Sequence, residues 1–169
     1  MGKIENVLFV CFGNTARSIA AQGIADLLKA TKFKKELKDV NFNSAGFVNV
    51  FKEPQPETKA YLKKKGIDPS QYRGKIMDSK MLEKQDLILV METMHLKRLL
   101  KKFKDVKEID KKAHLLLEFA GETENLEITD PVNFGPEKFQ QVNDTVERGV
   151  VKSIEKILKI NKEAEKRKI

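Results

Sequence analysis

The only cysteine of the chain, Cys11, stands six positions before Arg17, with Ser18 next, in the run Val-Leu-Phe-Val-Cys-Phe-Gly-Asn-Thr-Ala-Arg-Ser from Val7 to Ser18. A thiol and a guanidinium at this spacing suit chemistry on a tetrahedral anion. The thiolate is the nucleophile, and the planar fork of the arginine grips the equatorial oxygens. Apolar residues precede Cys11 in a strand pattern, and an amphipathic helix pattern follows Ser18. The intervening residues, Phe12, Gly13, Asn14, Thr15 and Ala16 together with Arg17 and Ser18, therefore form a turn closed by a helix N-terminus. Backbone N–H groups and the helix dipole converge there on an oxyanion, and the same field favours a thiolate. Gly13 permits a left-handed or tight backbone beside a ligand, Asn14 tolerates left-handed geometry, and Ser18 can donate to the thiolate. A lone cysteine ending a strand is commonly a small buried hydrophobe. Packing alone has no use for Gly-Asn and Arg-Ser at this point, so the run reads as a phosphate-binding loop carrying its own nucleophile.

Displacement of an ester oxygen by a thiolate gains from a general acid, worth a factor of about 100 to 10,000. Two Asp-Pro pairs are candidates, Asp68-Pro69 and Asp130-Pro131. Asp68 follows a helix stop and reads as a turn residue. Asp130 lies in a long loop after the fourth expected strand, and the proline restrains its backbone. Asp130 is the expected acid, and then the base that activates water.

These residues need a frame. Apolar strand patterns near Asn6–Val10, Val40–Ser44, Asp86–Met91 and Ala113–Phe119 alternate with helical patterns near Ser18–Thr31 and Glu57–Lys65, from about Thr93 to Phe103, and near Glu137–Ile160. Gly66 stands where a helix C-cap is expected, and Ser79 where an N-cap is. In the last helix Phe139, Val142, Val146, Val150, Ile154, Ile157 and Leu158 form a core stripe. The alternation predicts a single α/β domain over residues 1–169, a doubly wound parallel sheet of four strands with helices on both faces. Ligands of such sheets bind beyond the carboxyl ends of the strands, where Cys11 and the loops after the other strands fall.

Composition narrows the class further. Forty per cent hydrophobic and 34% charged residues indicate a folded chain. No apolar run could span a bilayer, and the N-terminus leads directly into a strand, so neither a membrane anchor nor a signal peptide is expected. One cysteine excludes an internal disulfide and a cysteine-based metal cluster. A reactive thiol favours a reducing, cytoplasmic setting. The net charge of +8 suits anionic substrates. Its lysines are mixed with glutamates on helical patterns, and no nucleic-acid-binding signature is present, so nucleic acid is not an expected partner.

Five motifs in order carry a resemblance. They are Val-Cys-Phe-Gly-Asn-Thr-Ala-Arg-Ser, Asn-Ser-Ala-Gly at 43–46, Gly-Ile-Asp at 66–68, Asp-Leu-Ile-Leu-Val-Met at 86–91, and Asp130-Pro131. Over essentially its whole length the chain resembles the low-molecular-weight protein tyrosine phosphatases. The resemblance implies a flavodoxin-like three-layer fold and a phosphocysteine intermediate. It makes Cys11 the nucleophile, Arg17 the phosphate clamp and Asp130 the acid, with Asn14, Ser18 and Ser44 supporting the loop. It implies no metal or other cofactor, a phosphorylated protein or small aryl phosphate as substrate, and a monomer.

Departures from that pattern bear on specificity. Ala16 replaces a second cysteine that family members often carry before the arginine. Val132 and Asn133 replace aromatics that often follow the Asp-Pro pair, leaving Phe12, Phe51 and Phe134 as pocket walls. Thr15 resembles protein arginine phosphatases, which share the scaffold and carry threonine where tyrosine phosphatases commonly have isoleucine. Arsenate reductases also resemble the loop, but without further cysteines only a mechanism using an external thiol remains. A non-catalytic phosphate-binding module would need neither Cys11 nor Asp130.

Overall fold

The computed structural model describes residues 2–49 and 51–167. Its elements run β1 (Asn6–Cys11), α1 (Arg17–Ala30), β2 (Asn41–Gly46), α2 (Pro56–Lys64), a 3-10 turn (Pro69–Gln71), α3 (Ser79–Glu83), β3 (Leu87–Val90), α4 (Thr93–Lys102), α5 (Ile109–Lys112), β4 (Ala113–Leu115), α6 (Leu116–Phe119) and α7 (Pro136–Lys166). The four strands are parallel in the order β2-β1-β3-β4, and the fold is flavodoxin-like. The order in which strands are added reverses between β1 and β3, so the crevice at their carboxyl ends is the ligand position of such a sheet.

Because β1 is central, its side chains feed two cores. Val7, Phe9 and Cys11 pack with α1, α2, α6 and α7, whereas Leu8 and Val10 pack with α3, α4 and α5. That division follows from the two-residue period of a strand. The apolar stripe of α7 is buried from Phe139 to Ile157. Farther along, Asn161 clasps the entry to β1. Ile4 N–H donates to Asn161 Oδ1 at 2.7 Å, and Asn161 Nδ2 donates back to Ile4 O at 2.8 Å. Gly66, at φ 78°, ends α2. Ile67 N–H reaches Leu62 O and Gly66 N–H reaches Lys63 O, both at 2.9 Å, which closes a Schellman cap. No helix among the described residues is long and apolar enough to cross a membrane.

Three expectations are corrected. The fourth strand stops at Leu115, and residues 116–119 turn into α6. A short apolar run fits either state, and here Leu116, Leu117 and Phe119 are drawn to the core beneath α7. The second strand begins at Asn41 and continues through Ala45 and Gly46, where β1 offers partners as far as Cys11. Asp78, not Ser79, caps α3, its carboxylate accepting from Met81 N–H at 2.7 Å.

Candidate active site

Cys11 ends β1, and α1 begins at Arg17, so the loop between them is a strand-to-helix turn beside the β1–β3 crevice. The first turn of α1 holds no acidic residue and its N-cap, Ala16, offers no side-chain acceptor. The helix end is thus left for an external anion. Asn14 adopts the left-handed conformation at φ 51°. Gly13 does not, which corrects the left-handed one of its two expected uses. At Gly13 the backbone leaves room, since a Cβ would meet only Thr15 Oγ1 at 3.8 Å.

Side chains brace the loop from within. Lys75 N–H donates to Asn14 Oδ1 at 2.8 Å, and Asn14 Nδ2 donates to Ser18 Oγ at 2.8 Å. Ser18 Oγ lies 2.9 Å from Cys11 Sγ. With its oxygen engaged by Asn14, the serine has its hydroxyl proton free for the sulfur. The loop carbonyls are held from outside. Phe12 O accepts from Phe47 and Val48 N–H at 2.8 and 3.2 Å, and Thr15 O from Gln55 N–H at 2.9 Å. This leaves the N–H groups of the loop to meet an anion. Ser44, assigned to loop support by the resemblance, instead donates to Gln22 Oε1 at 2.8 Å and joins β2 to α1.

Arg17 is 2% exposed. Its Nη1 donates to Ile128 O at 2.8 Å and to the carboxylate of Glu92. Nη2 lies 3.4 Å from Asp130 Oδ2. Nε is buried without a hydrogen-bond partner among the described residues. An unpaired buried N–H costs about 1–3 kcal/mol, and a phosphate oxygen would supply its acceptor. Asp130, 49% exposed on its side chain, accepts from Val132 N–H at 3.1 Å. Residues 111 positions apart in the sequence therefore meet at one guanidinium. Asp68 caps the 3-10 turn through Ser70 N–H at 2.9 Å, the turn-residue role. Those hydrogen bonds hold its carboxyl below the ordinary carboxylate range.

Of the expected walls, Phe51 and Phe134 are both exposed. The Phe12 ring stacks at 6.5 Å on His95, with the Arg98 guanidinium 5.4 Å from its centroid. Sequence reading missed Glu92, His95 and Glu127. His95 is buried, with Nε2 3.7 Å from Glu92 Oε1 and Nδ1 unpartnered among the described residues. Burial and then the Arg17 charge push its pKa below the ordinary 6.5, against the carboxylates of Glu92, Asp130 and Glu127. The available signal was a carboxylate and an imidazole directly following β3, on the ligand-binding edge. Among the described residues no group of three or more His, Cys, Asp or Glu could hold a metal ion.

Fold and loop together define a class, hydrolases that handle phosphate groups at a cysteine-bearing turn. The model of the family described as low molecular weight phosphotyrosine protein phosphatase matches residues 6–165, and the chain belongs to that family. It is similar to a protein-arginine-phosphatase of Geobacillus stearothermophilus, 28% identical over 152 residues, 89% of this chain and 95% of the relative. It is likewise similar to the low molecular weight protein-tyrosine-phosphatase Etp of Escherichia coli K12, 28% identical over 147 residues, 86% and 90% of the two chains. The crystal structure of the low molecular weight protein tyrosine phosphatase of T. tengcongensis is 32% identical, with a TM-score of 0.77 over 90% of this chain and 99% of that one.

Proposed function

We propose that this chain hydrolyses phosphotyrosine-type phosphomonoesters, with Cys11 as nucleophile, Arg17 as phosphate clamp and Asp130 as acid and base. The observation that carries the reading is the Arg17 guanidinium. It is buried, anchored through Nη1, without a hydrogen-bond partner at Nε among the described residues, and met at Nη2 by Asp130. The phosphate enters with its oxygens on Arg17 and the loop N–H groups. Cys11 Sγ attacks phosphorus, forming an S–P bond as the ester P–O bond breaks, and the Asp130 carboxyl gives its proton to the leaving oxygen. Asp130, now a carboxylate, takes a proton from water. The hydroxide attacks phosphorus, the S–P bond breaks, and inorganic phosphate and the Cys11 thiolate are restored. Ser18 donates to the sulfur as its charge returns. The reading carries with it a cytoplasmic monomer that needs no metal or other cofactor, acts on a phosphorylated protein or small aryl phosphate, and binds no nucleic acid.

A second reading, phosphoarginine hydrolysis, is favoured by Thr15, buried in the loop, and by the similarity to the Geobacillus arginine phosphatase. Phosphate release from phosphotyrosine and phosphoarginine peptides in parallel, with Cys11→Ser as the blank, separates the two. Cys11-dependent release that is faster from phosphotyrosine is the expected result. Faster release from phosphoarginine would move specificity to Thr15, and release from neither would overturn both readings.

A further inference from the structure

The acid loop and the phosphate clamp share an anchor, the turn between β3 and α4. Ile128 N–H donates to Met91 O at 2.9 Å, and Ile128 O accepts from Arg17 Nη1 at 2.8 Å. One residue earlier, Glu127 places its carboxylate on the first residue of α4. Thr93 N–H donates to its two oxygens at 3.1 and 3.0 Å, and the Thr93 hydroxyl donates to Oε1. The N-cap of α4, Glu92, makes no side-chain capping bond, because its carboxylate is on Arg17. Glu127 therefore supplies from another loop an acceptor that the helix lacks, at the end of the dipole that favours a negative charge. The contacts close a circuit from Arg17 to Glu92, Thr93, Glu127 and Ile128, and back to Arg17. Asp130 follows three residues after Glu127, with its own backbone narrowed by Pro131.

We infer that Glu127 is a positioning residue for the general acid, its grip on Thr93 holding the loop that carries Asp130 in place over the phosphate site. This rests on the reading of Asp130 as the acid. A carboxylate that merely capped an exposed helix end would contribute stability alone. It would affect all substrates equally. A displaced acid instead penalises substrates in proportion to their need for a proton, and a misplacement of about 1 Å costs on the order of 100-fold.

The test is kcat/KM for 2,4-dinitrophenyl phosphate, whose leaving group departs readily, and phenyl phosphate, whose leaving group does not. It is measured in the wild type, Glu127→Ala, Glu127→Gln, Thr93→Val, Asp130→Ala and the Glu127→Ala/Asp130→Ala double variant. Glu127→Ala is expected to lose about tenfold on phenyl phosphate and under about threefold on the dinitrophenyl ester. Glu127→Gln, which keeps an acceptor for Thr93, recovers most of that loss, and Thr93→Val reproduces part of it from the other side. In the Asp130→Ala background the loss of Glu127 costs nothing further. Equal losses on both esters, or full additivity in the double variant, would overturn the inference while leaving the acid in place. Absence of leaving-group selectivity in Asp130→Ala itself would remove the acid assignment, and this inference with it.

Discussion

Replacing Gly46 by alanine tests how tightly the sheet holds the loop. Gly46 pairs with Cys11 in the β1–β2 register. A Cβ at that position would stand 2.7 Å from Phe12 O, 2.9 Å from Asn14 N and 3.0 Å from Gly13 C. Ordinary contact begins near 3.4 Å, so the closest atom must retreat by about 0.7 Å. All three atoms belong to the loop backbone, where no flexible side chain can swing aside. Phe12 O is also held by two N–H donors, and Asn14 by Lys75. Since a misplacement of about 1 Å costs roughly 100-fold, kcat/KM of Gly46→Ala should fall roughly 30-fold, about 2 kcal/mol of transition-state stabilisation. Overpacking should also lower folding stability by about 1–3 kcal/mol. The assay is hydrolysis of 4-nitrophenyl phosphate with phosphate as competitive inhibitor, alongside thermal melting. A variant within twofold of wild type in kcat/KM and in phosphate inhibition would show that the loop does not depend on this contact.

Three further outcomes are expected. Glu92→Gln keeps the shape but removes the charge beside the buried Arg17; stability should fall by about 1–3 kcal/mol and phosphate inhibition weaken, and an unchanged melting temperature would contradict this. Burial and Arg17 depress the pKa of His95, so the unfolded chain binds a proton that the folded one does not. Stability should therefore drop as pH falls below about 6.5 toward the folded value, and His95→Gln should flatten that slope in melts from pH 7.5 to 5. Identical slopes in the two proteins would exclude His95 as their source. Peroxide should inactivate the enzyme by adding oxygen to Cys11 without an internal disulfide, since Ala16 offers no partner thiol. Saturating phosphate should slow the reaction; equal rates with and without phosphate would argue that Cys11 lies outside the phosphate site.

What could be read from the sequence divides by range. Cys11, Asn14, Arg17 and Ser18 lie within one turn, so residue type and spacing alone placed them together, and the alternation of patterns around them implied the parallel sheet. Asp130 was reachable by chemistry, because the proposed reaction asks for an acid and Pro131 marks a restrained one. Glu92 and Glu127 were not reachable. Their partners lie 75 and 34 positions away, and a glutamate at a helix start has many ordinary uses. The tight approach at Gly46 was hidden for a related reason. Ser-Ala-Gly is visible as a motif, but that the loop backbone presses on the glycine depends on strand register. The Leu115–Leu117 run was ambiguous by composition, and only the position of α7 decided that it turns.

The clasp between Ile4 and Asn161 has a consequence for biosynthesis. During translation Cys11 emerges before Glu92, Ile128, Asp130 and Asn161, the residue that fixes the entry to β1. A nascent chain that has emerged only as far as α3 holds the thiol without the partners of Arg17 and without the helix that covers one face of the sheet. Loop closure over 157 positions must precede full burial of β1. The complete loop thus waits for α7 and forms in the same step as the tertiary structure, and a chain halted before α7 carries an uncovered Cys11 in an unfinished protein.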